Sequence, residues 1–134
     1  MAVVLDSTAV AGFLDRRDAL HETAAALIKA LLPTQSLFVS VVTYAEVLTG
    51  GGLGHHPPRA VRGFFEDVIS EILPVDPGIA ERAAELRVRR RSLRMPDAFI
   101  LATSELHPDV ESVVTGDAEW TRLRNLDLRI ELLA

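Results

Sequence analysis

Apolar runs and the polar residues that interrupt them divide this chain into short strands alternating with helices. Val3-Val4-Leu5 reads as a buried strand that stops at Asp6-Ser7-Thr8, three residues suited to helix caps. Ala9 to Leu14 supplies a short helix, and Asp15-Arg16-Arg17-Asp18 a polar break. From His21 to Leu32 the apolar residues Ala24, Leu27, Ile28 and Leu31 share one helical face, which ends before Pro33. Leu37-Phe38-Val39 is a second strand, and Ser40 or Thr43 can cap the helix that carries Tyr44, Glu46, Val47 and Leu48. Gly50 to Pro58 reads as a loop or frayed helix end, with His55 and His56 exposed to solvent.

The second half repeats the alternation. Arg59 to Ser70 has a helical pattern, and Ile72-Leu73-Pro74-Val75 reads as an edge strand because of its proline. A helix from Pro77 runs up to a group of arginines. Ser112-Val113-Val114-Thr115 is the next strand, closed by Gly116-Asp117, and a short helix begins at Asp117-Ala118-Glu119-Trp120. Leu128 to Leu133 alternates polar and apolar residues, as a terminal edge strand does. Such an order implies an α/β fold with a parallel sheet covered on both faces, in one unit spanning residues 1–134.

One helix is unusual. From Pro96, which suits the first helical position, through Ser104, nearly every face is apolar or small, so this helix should lie inside the protein. It nevertheless carries Asp97 in its first turn. A buried carboxylate must be solvated, paired or bound to a cation.

Composition narrows the alternatives. The 134 residues include no cysteine, which excludes a disulfide framework, a thiolate nucleophile and a zinc ribbon. No run approaches the roughly 20 apolar residues of a membrane span, and the first residues lack a basic segment of the signal-peptide kind, so a cytoplasmic location is expected. The net charge of −5 argues against a nucleic-acid coat protein. Lys29 is the only lysine, however, and Arg87, Arg89, Arg90, Arg91 and Arg94 crowd together just before the apolar helix. Arginine forks suit phosphate. A solvated helix end is the plainer explanation, and helical geometry lets at most two or three of the five point one way.

Acids stand at the ends of several elements. Asp6 follows the first strand, Asp117 the fourth, Glu46 lies early in the helix after the second, and Asp97 opens the buried helix. In parallel α/β sheets, sites form outside the carboxyl ends of the strands. Each acid also has a structural explanation: Asp6 and Asp117 as helix caps, Glu46 as partner of Thr43 in a capping box, Asp97 as a first-turn acid. Together they are harder to explain that way, because two carboxylates about 5 Å apart repel by ~3 kcal/mol at an effective dielectric of ~20. A divalent cation removes the difficulty, and an all-oxygen donor set points to Mg²⁺ or Mn²⁺. Such an ion can acidify a water for attack on a phosphodiester.

The segments Val3 to Thr8, Thr43-Tyr44-Ala45-Glu46-Val47, Pro96 to Ala102 and Val114-Thr115-Gly116-Asp117 resemble, in order, the four acidic motifs of PIN-domain ribonucleases. The likeness is greatest to the small VapC toxins of toxin–antitoxin pairs. It implies a three-layer fold with a parallel sheet of order 3-2-1-4-5 and cleavage of RNA dependent on Mg²⁺ or Mn²⁺. It also implies a homodimer and inhibition by a VapB-like antitoxin. Carried over by position, Asp6, Glu46, Asp97 and Asp117 would be catalytic metal-binding acids. Thr115 would orient a carboxylate or water, Ser7 would do so or cap a helix, and Trp120 would pack in the core. If RNA is the substrate, Arg87, Arg89, Arg90, Arg91 and Arg94 are the candidates to hold its backbone, with at most two or three of them touching it. Pro96 departs from the family's usual small residue, and the glycine-rich loop after Glu46 bears on the partner-binding region. An RNA-processing nuclease outside a toxin pair, a non-catalytic module of the same fold, and a receiver-like phosphotransfer domain remain alternatives. The last is disfavoured because Lys29, in an early helix, is the only lysine.

Overall fold

A computed structural model describes residues Met1–Ala134. Five parallel strands form one sheet: β1 (Ala2–Leu5), β2 (Ser36–Ser40), β3 (Glu71–Leu73), β4 (Val110–Thr115) and β5 (Arg129–Leu132), in the order β3-β2-β1-β4-β5. The chain lays β2 and β3 on one side of β1, then crosses to lay β4 and β5 on the other. The connection therefore reverses between β1 and β4, and a crevice opens beyond the carboxyl ends of those two strands.

Alternation along the central strands feeds two separate cores. Val3, Leu5, Leu37, Val39 and Val114 face one side, where α1 (Ser7–Leu14), α2 (His21–Leu31) and α4 (Pro58–Asp67) contribute Val10, Ile28 and Phe64. Val4, Phe38 and Val113 face the other, against α5 (Pro77–Arg89), α6 (Met95–Leu106) and Trp120. This is the period-2 pattern of strands buried on both faces. α3 (Val41–Gly52) closes the end of the sheet between α1 and α6.

α6 is the buried helix that the sequence implies. Ala98, Ile100, Leu101, Ala102, Thr103 and Ser104 are all buried. Its hydroxyls cause no deficit, because Thr103 and Ser104 donate to the carbonyls of Phe99 and Ile100, each at 2.7 Å. At its far end Glu105 accepts from Arg82 of α5 at 2.5 and 3.1 Å and from the Asp127 amide at 2.8 Å, while Arg82 also donates to the Asn125 carbonyl at 2.9 Å. Two helices and the segment before β5 are thereby clamped together.

Several elements differ from the sequence expectations. α6 begins at Met95, so Pro96 occupies its second position. α4 starts at Pro58 and ends at Asp67, and β3 stops at Leu73, leaving Pro74 outside the ladder. The segment after Asp117 is a 3-10 helix, Ala118–Arg122. Ser40 caps α3, its hydroxyl accepting from the Val42 amide at 3.1 Å, so Thr43 lies inside the helix and forms no capping box with Glu46. His56 is buried rather than solvent-exposed, because the α3–α4 connection folds its ring against Gly50. His55 is exposed as expected. No helix is long and apolar enough to cross a membrane.

Candidate functional site

The crevice between β1 and β4 is built around Asp6. β1 extends one residue beyond its strand, with the Asp6 amide donating to the Val114 carbonyl at 3.0 Å. This places the carboxylate at the first turn of α1, where Oδ1 accepts from the Ala9 amide and the Thr8 hydroxyl, each at 2.8 Å. Oδ2 accepts from the Thr115 hydroxyl, at the end of β4, at 2.6 Å. Asp6 is thus a helix cap and a deeply buried acid at once, with only 2 % of its surface exposed. Burial pushes its pKa up to about 6, against the opposing hydrogen bonds from Thr115, Ala9 and Thr8, and the negative charge of Asp97 adds to the rise. Three donors do not fully replace the water it has lost.

The hydroxyls around Asp6 carry the order outward. Thr8 Oγ1 accepts from the Gly116 amide at 2.7 Å, and Thr115 Oγ1 accepts from the Asp117 amide at 3.0 Å. Asp117 then caps the 3-10 helix, accepting from the Glu119 amide at 2.9 Å. On the other side the Ser7 hydroxyl donates to Oε1 of Glu46, joining α1 to α3. Ser7 therefore acts through Glu46, and Asp6 caps the helix instead.

Asp97 enters from α6, half-buried, and is held by Arg94 at 3.3 and 3.4 Å. Hydrogen bonding to Asp97 and its charge keep the Arg94 guanidinium protonated beyond its usual range, and the charges of Glu46 and Asp117 add to this. One arginine head thus feels three of the four acids. The carboxylates face one region without closing on one point: no three His, Asp or Glu side chains stand close enough to enclose an ion in this arrangement. Glu46 is turned to Ser7, Asp97 to Arg94 and Asp117 to its own turn.

The arginines separate as helical geometry requires. Arg87 donates to the Leu93 carbonyl at 2.7 Å and braces the α5–α6 turn, and Arg90 pairs with Glu119 at 2.8 Å. Arg89 and Arg91 are exposed without a side-chain partner. Trp120 is buried, so it packs in the core and does not present a ring to solvent. Sequence reasoning passed over Thr8, whose role depends on its contact with Gly116 across the crevice. It also passed over Arg122 and Arg124, a pair about thirty residues along the chain from the other arginines and brought opposite them only by packing.

A family model for the PIN domain matches residues 3–126. The chain belongs to the PIN-domain family. No curated protein matches its sequence. Solved structures similar to this PIN domain include toxins and toxin–antitoxin complexes. VapBC2 of Rickettsia felis, bound to a DNA fragment from its promoter, aligns with a TM-score of 0.75 at 13% identity, covering 100% of both chains. VapC20 of Mycobacterium tuberculosis, a sarcin–ricin loop cleaving toxin, aligns at 0.74 and 20% identity over 96% of this chain and 99% of its own. A toxin–antitoxin complex from Klebsiella pneumoniae aligns at 0.69 and 25% identity over 88% of each chain.

Proposed function

We propose that this PIN-domain protein is an endoribonuclease dependent on Mg²⁺ or Mn²⁺ and the toxin of a VapBC-type pair. The observation that carries the reading is Asp6: a carboxylate buried at the reversal point of the sheet, destabilised in its charged form, with Asp97 acting on it electrostatically. Burial is the main cause of that destabilisation and the charge of Asp97 a smaller one, and a nearby cation would relieve both. Arg94 is the compensating charge in the structure, but it is largely exposed and reaches Asp97 rather than Asp6.

The donor set fits a hard divalent cation. Asp6, Glu46, Asp97 and Asp117 offer only oxygen, and no histidine contributes. When bound, such an ion would acidify water and neutralise charge developing on a phosphodiester. The chain's own residues do the rest. Thr115 and Thr8 fix the rotamer of Asp6, Ser7 fixes Glu46, and the Asp117 cap sets the edge of the crevice. Exposed arginines beyond it hold the RNA backbone, which orients the strand without reading its sequence.

VapC20 supports RNA as the substrate, and the Rickettsia felis VapBC2 complex supports a VapB-like protein as the inhibitor. A protein partner has a suitable surface here. α3 and α4 enclose a groove of about 430 Å³ lined by Tyr44, Leu48, Val61 and Phe65, which leaves apolar area exposed. A homodimer is part of the same proposal.

The test is cleavage of single-stranded RNA with Mg²⁺ or Mn²⁺ present, by the parent and by Asp6→Asn and Asp97→Asn. Loss of cleavage in both variants and on addition of EDTA is expected. Cleavage that survives either substitution or chelation removes the proposal.

A further inference from the structure

Beyond the acids, the end of α5 and the segment after β4 enclose a second groove, of about 420 Å³. Arg89 and Arg90 line it from α5, and Arg122 and Arg124 from the other wall. Leu86, which is buried, the half-buried Leu123 and the exposed Asn125 complete the lining. Four guanidinium groups gather here in a chain whose net charge is −5. Glu119 offsets part of that charge by pairing with Arg90 at 2.8 Å and Arg122 at 3.1 Å. Arg89 and Arg124 make no ion pair or side-chain hydrogen bond, so their forks are free.

The groove is linked to one of the acids, Asp117, through the backbone. The 3-10 helix that starts at Asp117 ends at Arg122, and Glu119, which ties Arg90 to Arg122, is itself fixed by donating its amide to Asp117. At about 2.0 Å per residue the turn carries the chain roughly 10 Å from the acid to the groove.

We propose that Arg89, Arg90, Arg122 and Arg124 form a subsite for the sugar–phosphate backbone of single-stranded RNA, flanking the position of the reacting phosphodiester. Planar forks favour phosphate oxygens. Leu123, half-buried on the groove wall, gives the ribose or base an apolar contact. The paired arginines, Arg90 and Arg122, are held in place by Glu119, while Arg89 and Arg124 supply contacts that need no existing ion pair to break. This assignment rests on RNA being the substrate and deepens it by saying where the strand runs.

The experiment is binding of a fluorescein-labelled single-stranded oligoribonucleotide, followed by anisotropy in EDTA across a salt series. Parent, Arg89→Ala/Arg124→Ala and Arg89→Lys/Arg124→Lys proteins are compared, with thermal melting as the check on folding. The alanine pair should bind about tenfold more weakly or worse, with a log–log salt slope flatter by about 1.4, two phosphate contacts at ~0.7 each. The lysine pair should keep the slope and lose part of the affinity. Melting should be unchanged, because neither side chain has a partner to lose. Unchanged affinity and slope in the alanine pair overturns the subsite. So does a polyglutamate peptide that binds through these arginines more tightly than RNA, which would make the groove a protein contact. A chain that binds RNA through the groove but cuts none refutes the nuclease reading alone. A chain that cuts RNA while the alanine pair binds it undiminished refutes the groove alone.

Discussion

The Thr115 hydroxyl lies 2.6 Å from Oδ2 of Asp6, across 109 residues of sequence, and joins the ends of the two strands between which the sheet reverses. Thr115 Oγ1 in turn accepts from the Asp117 amide at 3.0 Å, so one side chain sets the position of two acids. Thr115→Val should leave Asp6 with one donor fewer and the Asp117 amide without an acceptor. A loss of about 1–3 kcal/mol in stability is expected, together with an alkaline shift of the pH profile of cleavage. Thr115→Ser should restore both. A valine variant with the parent's pH profile would show that the hydroxyl does not govern Asp6.

Asp6 makes the cation-free protein sensitive to pH. Its folded pKa of about 6 exceeds the ordinary 3.8, so the folded state holds the proton more tightly than the unfolded one. This contribution to stability is fully present below the unfolded value and is lost as pH rises through about 6. The difference of about two units corresponds to roughly 3 kcal/mol. Asp6→Asn removes this dependence, so in EDTA its urea midpoint should gain on the parent's between pH 4 and pH 7. Parallel midpoints over that range would contradict the burial of a titrating acid.

Arg94 and a divalent ion would compete for Asp97. The arginine is largely exposed, and its ion pair contributes little to stability, on the order of 0–1 kcal/mol. Arg94→Ala should therefore melt near the parent temperature while binding Mn²⁺ several-fold more tightly, as calorimetry would read. Weaker Mn²⁺ binding in the variant would mean that Arg94 organises the acids instead of shielding them.

The Arg82 clamp is structural. Glu105 is half-buried beneath it, and although burial raises its pKa, hydrogen bonds from Arg82 and the Asp127 amide outweigh that and hold it below its usual range. Arg82→Ala should leave that carboxylate with only the Asp127 amide and cost about 1–3 kcal/mol, whereas Arg17→Ala, at an exposed pair, should leave the urea midpoint where it was. Equal midpoints for the two variants would rule out the clamp.

Local signals along the chain were enough to find the elements, though not all their bounds, the burial of α6 and the acids at the element ends. Strand alternation, prolines and caps are local signals, and a helix apolar on every side has nowhere to lie but inside. Resemblance to PIN domains supplied the strand order. The hydroxyl pairings came from packing: Ser40 rather than Thr43 caps α3, Ser7 serves Glu46, and Thr8 bridges Asp6 to Gly116. It also separated the arginines into braces and free forks, brought Arg122 and Arg124 opposite α5, and buried His56. The reason is common to all of these. A side chain's partner depends on how distant segments pack, and neither spacing nor propensity along the chain encodes that distance.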